Sequence, residues 1–283
     1  MKNRILYLLL AALPFFMGAC EEIPPVLNPV MGGGGGTGGG DLENQQRQVI
    51  IEEFTGVRCV NCPAGAQAIN TLRSIHGERL IPVSIHAGFF AQPYSESAEN
   101  YANAEGNALQ SYLGEPIGYP TAVVNRRQFD GESSLQVGQG TWAGYVAQEL
   151  AAPPRVKLAV EHTYNEASRQ VSGSLAFHPQ ENITEPDVRY TILVVQDSIA
   201  DYQLTPDGVN PLYMHRHVFR GAVTSTSGTP VGEALNEGQV VNKTFSYTLP
   251  AHWRAEKCYL VLMAHLSGDI KDVLQAIETK VIE

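Results

Sequence analysis

Two hydrophobic rhythms divide the chain near residue 153. Before it, apolar runs alternate between a strand-like and a helical period. Residues 48–54, QVIIEEF, are β-branched and strand-like, and 63–77, PAGAQAINTLRSIHG, carry Ala66, Ile69, Leu72 and Ile75 at helical spacing. Pro63 suits the first turn of that helix and Gly77 its C-cap. Residues 80–88, LIPVSIHAG, predict a buried strand. The polar stretch 95–114 predicts one or two helices with Ser95 as a candidate N-cap. A strand over 120–125, a turn over 129–133 and a closing helix over 140–152 follow. This alternation predicts an α/β domain with a partly parallel sheet.

After residue 153 the helical period disappears. Seven strand-like runs follow, at 155–164, 170–178, 189–197, 213–223, 239–249, 258–267 and 273–282. Turn-rich pieces such as NEAS, TPDGVNP and STSGTP separate most of them. That pattern predicts an immunoglobulin-like β-sandwich over residues 153–283, with AAPPR marking the junction.

The first forty-four residues read differently again. Residues 1–20, MKNRILYLLLAALPFFMGAC, have Lys2 and Arg4, an apolar run, then small residues, the layout of a secretory signal. Its end resembles a bacterial lipoprotein signal, in which cleavage exposes a cysteine that is then acylated with chains such as palmitate. Here that residue is Cys20, with Met17 in place of the usual Leu. Residues 21–44 are Pro-rich and then Gly-rich, which predicts a disordered tether. Glu21 and Glu22 resemble a surface-export signal of Bacteroidetes lipoproteins, and equally suit a solvated charge pair. A net charge of −10 disfavours nucleic acid or an anionic lipid surface as the main partner, leaving the lipid on Cys20 as the expected membrane contact.

Four cysteines remain to be assigned. Cys20 is the lipidation candidate, and Cys258 falls in an apolar strand-like run as a buried, inert thiol. Cys59 and Cys62 stand two residues apart where a strand gives way to a helix. In that position Cys59 is expected at or near the N-cap, where free backbone N–H groups and the helix dipole favour thiolate. Arg58 adds a positive neighbour, and Cys62 lies within disulfide reach. The pair is open to three readings: redox exchange, a structural staple, or half of a zinc site.

The segment IEEFTGVRCVNC resembles the thioredoxin active site. Glu53, six residues before Cys59, takes the place of the buried carboxylate that serves the second cysteine, while as one of two adjacent glutamates it equally suits a solvated side chain. Separately, GYPTAVVN resembles the thioredoxin cis-proline segment, which implies a cis bond at Tyr119–Pro120. The resemblance covers residues 45–152 and implies thiol–disulfide exchange, with protein substrates or a redox partner supplying electrons and no nicotinamide, flavin or metal cofactor. Arg58, Val60 and Asn61 depart from the Trp and Gly-Pro of thioredoxin, so redox direction does not carry over. Thr55, four residues before Cys59, does not match the peroxiredoxin spacing. Taken whole, the layout resembles the outer membrane protein 28-related lipoproteins of Bacteroidetes, which implies an outer-membrane, lipid-anchored protein.

Other side chains carry weaker signals. His86 ends the run 80–86 and suits a proton carrier, a substrate contact or a packed histidine. His215 and His217 would share one face of a strand, as a two-histidine metal site requires, but lack a third ligand, which favours packing or an interdomain contact. Asp197–Ile199 resembles a Bacteroidetes O-glycosylation signal, which would modify Ser198. The competing reading is a surface binding or adhesion lipoprotein in which the cysteine pair is structural and the β-sandwich does the binding. Oligomeric state is not legible.

Overall fold

The computed structural model describes residues 35–283. The signal sequence, Cys20 and residues 21–34 of the expected tether lie outside the described residues. In chain order, β1 (Gly35–Gly38) and β2 (Val49–Thr55) precede α1 (Cys62–His76), and β3 (Leu80–His86) leads to α2 (Ala104–Leu113). β4 (Thr121–Val124) and β5 (Gln136–Gly138) lead to α3 (Trp142–Leu150). Next come β6 (Val156–Asn165), β7 (Gln170–Pro179), β8 (Arg189–Gln196), β9 (Ile199–Thr205) and β10 (Gly208–His215). The last are β11 (Val218–Ala222), β12 (Thr229–Pro230), β13 (Val241–Thr248), β14 (Cys258–His265) and β15 (Val273–Lys280). The result is mixed α/β, with strands predominating.

The largest sheet runs β15-β14-β8-β11-β3-β2-β4-β5, with β12 beside β8. A second has the order β1-β6-β7-β13, and β9 and β10 form a separate hairpin. β2 and β3 are parallel, as expected, while β4 lies antiparallel on the other side of β2. Being central, β2 is buried on both faces, and this is why QVIIEEF lacks strict alternation. Ile50 and Phe54 join Leu109 and Leu113 of α2 in one core. Val49 and Ile51 face the other way, onto Leu72 of α1 and Trp142 of α3. In the second half, Leu158, Phe177, Ile192 and Leu260 form a core between the smaller sheet and part of the larger one. Each such fully buried side chain contributes about 1.5–3 kcal/mol.

The junction at residue 153 does not separate the halves. β11 docks parallel beside β3 at Val218 and Ser84, and the Ser84 N–H donates to the His217 carbonyl at 2.9 Å. One sheet therefore crosses the junction, and the described residues form one compact unit.

Several expectations need correction. Gly35–Gly38, placed in the tether, pairs with β6 as an edge strand. At Gly39, where φ is +98°, a β-carbon would meet the Leu158 carbonyl oxygen at 2.2 Å, so part of the glycine tract is a close backbone contact. The helix expected within 95–114 is confined to α2, capped by Asn103, whose side chain accepts from the Gly106 N–H at 2.7 Å. Ser95 caps nothing; its hydroxyl donates to Glu96. Beyond residue 153 there are more strands than seven, because 197–223 contains the β9–β10 hairpin and a break at His217, whose φ is 44°.

Candidate functional site

Two elements converge on the cysteine pair. β2 delivers Glu53 and Thr55 to its C-terminal end, and a tight loop then leads into α1. Cys59 and Cys62 form a disulfide with Cα atoms 5.4 Å apart. Cys59 is not at the N-cap. Asn61 holds that position, and Cys62 is the first helical residue. The Cys62 N–H is already used, donating to the Cys59 carbonyl at 3.3 Å, and the Cys59 N–H donates to Gly56 at 3.0 Å. Pro63 lies in the first turn as expected, without an acidic neighbour. The cysteines are 3% and 2% exposed, while Arg58, Val60 and Asn61 around them are exposed. Arg58 turns toward the loop after β3, donating to the Gln92 and Pro93 carbonyls at 2.8 Å and stacking 4.3 Å over Tyr94.

The adjacent glutamates of β2 have opposite fates because successive side chains leave opposite faces of the sheet. Glu52 receives two bonds from Arg126, at 2.9 and 2.7 Å, in a fully buried ion pair. Glu53 is 1% exposed and has no cation. Its Oε2 accepts from the Ser84 hydroxyl at 3.4 Å, and its Oε1 has no partner. Burial, only partly offset by Ser84, pushes its pKa up to about 8.

Gly65 marks where these parts meet. A β-carbon there would lie 2.6 Å from Glu53 Oε1 and 2.8 Å from the Pro120 ring. The Tyr119–Pro120 bond is cis. Carboxylate, proline and the first turn of α1 thus crowd one point, a role for Gly65 that helical periodicity does not reveal.

The second half completes the site. Gln203 on β9 donates to the Cys59 carbonyl at 3.0 Å and to Gly56 at 3.3 Å, and the Leu204 N–H donates to Val57 at 2.7 Å. A cavity behind the disulfide is lined by Glu53, Cys62, Ser84 and His86 from the first half and by Tyr213 and His215 from the hairpin. His86 lies opposite Thr55 in the β2–β3 register and is 3% exposed. Its ring is 4.8 Å from Tyr101 and 5.6 Å from His215. Burial, reinforced by His215, holds His86 well below the usual histidine range.

His215 and His217 do not share a strand face. His215 ends β10, where burial lowers its pKa to about 4. His217 precedes β11 and contacts Asp197 at 3.3 Å and Glu278 at 3.2 Å, with Arg73 2.9 Å away. Burial opposes a charge on His217, but the two carboxylates outweigh it and raise the pKa. Among the described residues no group of three or more His, Cys, Asp or Glu is arranged to hold a metal ion. Ser198 sits in a turn at φ 58°, its hydroxyl donating to Asp197 at 2.7 Å and accepting from Arg216 at 2.9 Å. Cys258 is free and buried, and burial pushes its thiol up to about 12.

Comparison with known proteins adds context. A family model described as outer membrane protein Omp28 matches residues 107–283, most of the chain but not the disulfide segment. HBP35 of Porphyromonas gingivalis shares the fold at TM-score 0.64 and 17% identity, over 83% of this chain and 76% of that one. A protein of Agrobacterium tumefaciens superimposes at TM-score 0.51 and 14% identity, over 84% of this chain and 96% of that one. A domain of the outer membrane lipoprotein Omp28 from Porphyromonas gingivalis gives TM-score 0.32 at 14% identity, over 45% of this chain and 88% of that one. No curated protein sequence matches.

Proposed function

The chain belongs to the Omp28 family of outer membrane proteins, and from that premise we propose that it is a lipid-anchored thiol–disulfide exchange protein acting outside the cytoplasm. Acylated Cys20 is the anchor. Residues 45–152 act as a thioredoxin-like domain and residues 153–283 as an immunoglobulin-like sandwich that closes one side of the site. The supporting order of parts is strand, cysteine pair, helix, parallel strand, helix, cis-proline and antiparallel strand.

The observation that carries this reading is the convergence on Gly65 of an unpaired buried carboxyl and a cis-proline, in the helical turn that begins with Cys62. A partner thiolate attacks the Cys59 sulfur, the Cys59–Cys62 bond breaks, and Cys62 leaves as thiolate. Glu53, neutral at pH 7 because its pKa is about 8, protonates Cys62. Pro120 shapes the groove beside Cys59, and His86 assists proton movement.

The test uses the purified lipoprotein in detergent, assayed for insulin reduction and for oxidation of a dithiol peptide. Activity in one direction that disappears with Cys59→Ser supports the proposal. A wild-type protein inert in both directions refutes it.

A second reading is favoured by the 3% and 2% exposure of the cysteines and by the Gln203 bonds to their loop. In it the disulfide staples the two halves and the protein is a surface binding lipoprotein. Resistance of the folded disulfide to physiological thiols, with loss of stability on Cys62→Ser, would select it. Protease accessibility on intact cells tests surface exposure in either case.

A further inference from the structure

A buried polar atom without a partner costs about 1–3 kcal/mol, so a cluster of them needs a reason. Such a cluster lies behind the disulfide, where Glu53 Oε1, His86 Nδ1 and the Tyr101 hydroxyl are buried and unpartnered. Glu53, His86 and His215 line one cavity with Cys62, and its wall includes the exposed residues Asn70, Met214 and Arg216. Ser84 touches Glu53, and His86 follows two residues later on the same face of β3. The His86 and His215 rings lie 5.6 Å apart, both within 5 Å of the Tyr101 ring.

We propose that His86 and His215, brought together from the two halves of the chain, form a proton-relay pair that connects Glu53 to the mouth of this cavity. The proposal rests on the exchange reading above and adds the route by which the buried acid is recharged. An external dithiol reduces the disulfide: its first thiolate bonds to the Cys59 sulfur, and the electron pair of the broken S–S bond stays on Cys62. Glu53 gives Cys62 its proton and becomes a carboxylate. His215 takes a proton from solvent and passes one to His86, which passes one to Glu53. The second thiolate of the dithiol then releases Cys59 and leaves as the cyclic disulfide. The net change is two electrons to the Cys59–Cys62 disulfide, one formally to each sulfur, and one proton to Cys62, with Cys59 left as a thiolate that protonates from solvent.

A neutral imidazole suits this role because it carries one N–H and one free lone pair. The groups facing the pair keep both rings neutral. Burial and, at His86, the charge of Arg220 on β11 disfavour imidazolium, while Asp201 and the Tyr202 carbonyl on the hairpin oppose this at His215. Tyr101 and Tyr213 face the rings as uncharged phenols, and Glu99 is engaged by Arg220 at 2.7 Å. His217 is excluded from the relay, being held between Asp197 and Glu278.

The test is rapid-mixing reduction of Cys59–Cys62 in the full-length protein by excess dithiothreitol, from about pH 6 to about pH 9, in light and heavy water. Any accessible disulfide gives a rate here, so failure of this inference is distinguishable from failure of protein-substrate exchange, which the insulin assay reads. His215→Gln retains a donor for the Tyr202 carbonyl. It is expected to slow reduction about tenfold or more near neutral pH, to change the pH profile, and to leave the redox potential in place. Free imidazole is expected to restore part of the rate. His86→Gln is expected to give the same loss, with the double variant no slower than either single one. A His215→Gln rate and pH profile within about twofold of wild type, or losses that multiply in the double variant, overturn the proposal.

Discussion

Replacing Glu53 by Gln tests the electrostatic core of the site. On folding, burial moves this carboxyl from its ordinary 4.5 to about 8, and no cation compensates it. Between those values the folded chain holds a proton that the unfolded chain has released, so this group lowers stability as pH rises. At about 1.36 kcal/mol per pKa unit, the penalty is about 1 kcal/mol near pH 5, about 3 near pH 7 and about 4 near pH 8. Glu53→Gln removes that pH-dependent part. It also brings amide protons to a place where Oε1 has no partner, a pH-independent cost of about 1–3 kcal/mol. The slope is therefore the informative quantity. The stability of the variant minus that of wild type should rise by about 3 kcal/mol between pH 5 and pH 8. Urea unfolding at constant ionic strength, with the disulfide intact, measures it. A difference that stays flat across this range would mean that Glu53 ionises freely in the folded protein. The assignment of a neutral proton donor beside Cys62 would then be wrong.

Four further outcomes follow from neighbouring geometry. Gly65→Ala pushes a methyl group into the Glu53 carboxylate and the Pro120 ring, and should cost about 1–3 kcal/mol in chemical denaturation. Gln203→Ala removes the bonds to the Cys59 and Gly56 carbonyls and should speed thiol attack on the disulfide, measured by trapping with a maleimide after brief reduction. His217→Gln should destabilise most in acid. Burial opposes its charge, yet Asp197 and Glu278 raise its pKa, so its contribution is complete below about pH 6.5 and is lost as pH climbs through the raised value. A deficit in thermal unfolding that grows with pH would contradict that sign. Arg126→Met leaves Glu52 without its partner in the core and should cost about 3–5 kcal/mol, whereas Arg126→Met with Glu52→Leu should cost far less.

The local parts of the site were legible because their signals are local. β2, α1, β3 and β4 follow from hydrophobic period and from Pro63 and Gly77, and the cis bond was expected from GYPT. Hydrophobic period alone did not separate the two glutamates, because β2 is covered on both faces and both positions are buried, although the thioredoxin resemblance singled out Glu53 as the buried carboxyl. Arg126, which distinguishes them, arrives by tertiary packing from 74 residues away. His215 and His217 misled for a related reason. An H-x-H spacing implies one face only while the strand is continuous, and the backbone turns at His217, setting the His215 ring against His86 and Tyr101 and the His217 ring against Asp197 and Glu278.

The hairpin is the extreme case. Gln203 reaches the Cys59 loop across 144 residues of chain, and the Leu204 N–H beside it bonds to Val57 of the same loop. A Cys-x-x-Cys spacing specifies how two sulfurs can bond. Whether an external thiolate reaches them, and where the proton goes afterwards, depends on the buried groups placed around them. Here those groups come from both halves of the chain, on the large sheet and on the β9–β10 hairpin. The thiol chemistry of this pair is therefore a property of the joined halves. A change in the hairpin that leaves both cysteines untouched should alter disulfide reactivity as surely as a change beside them.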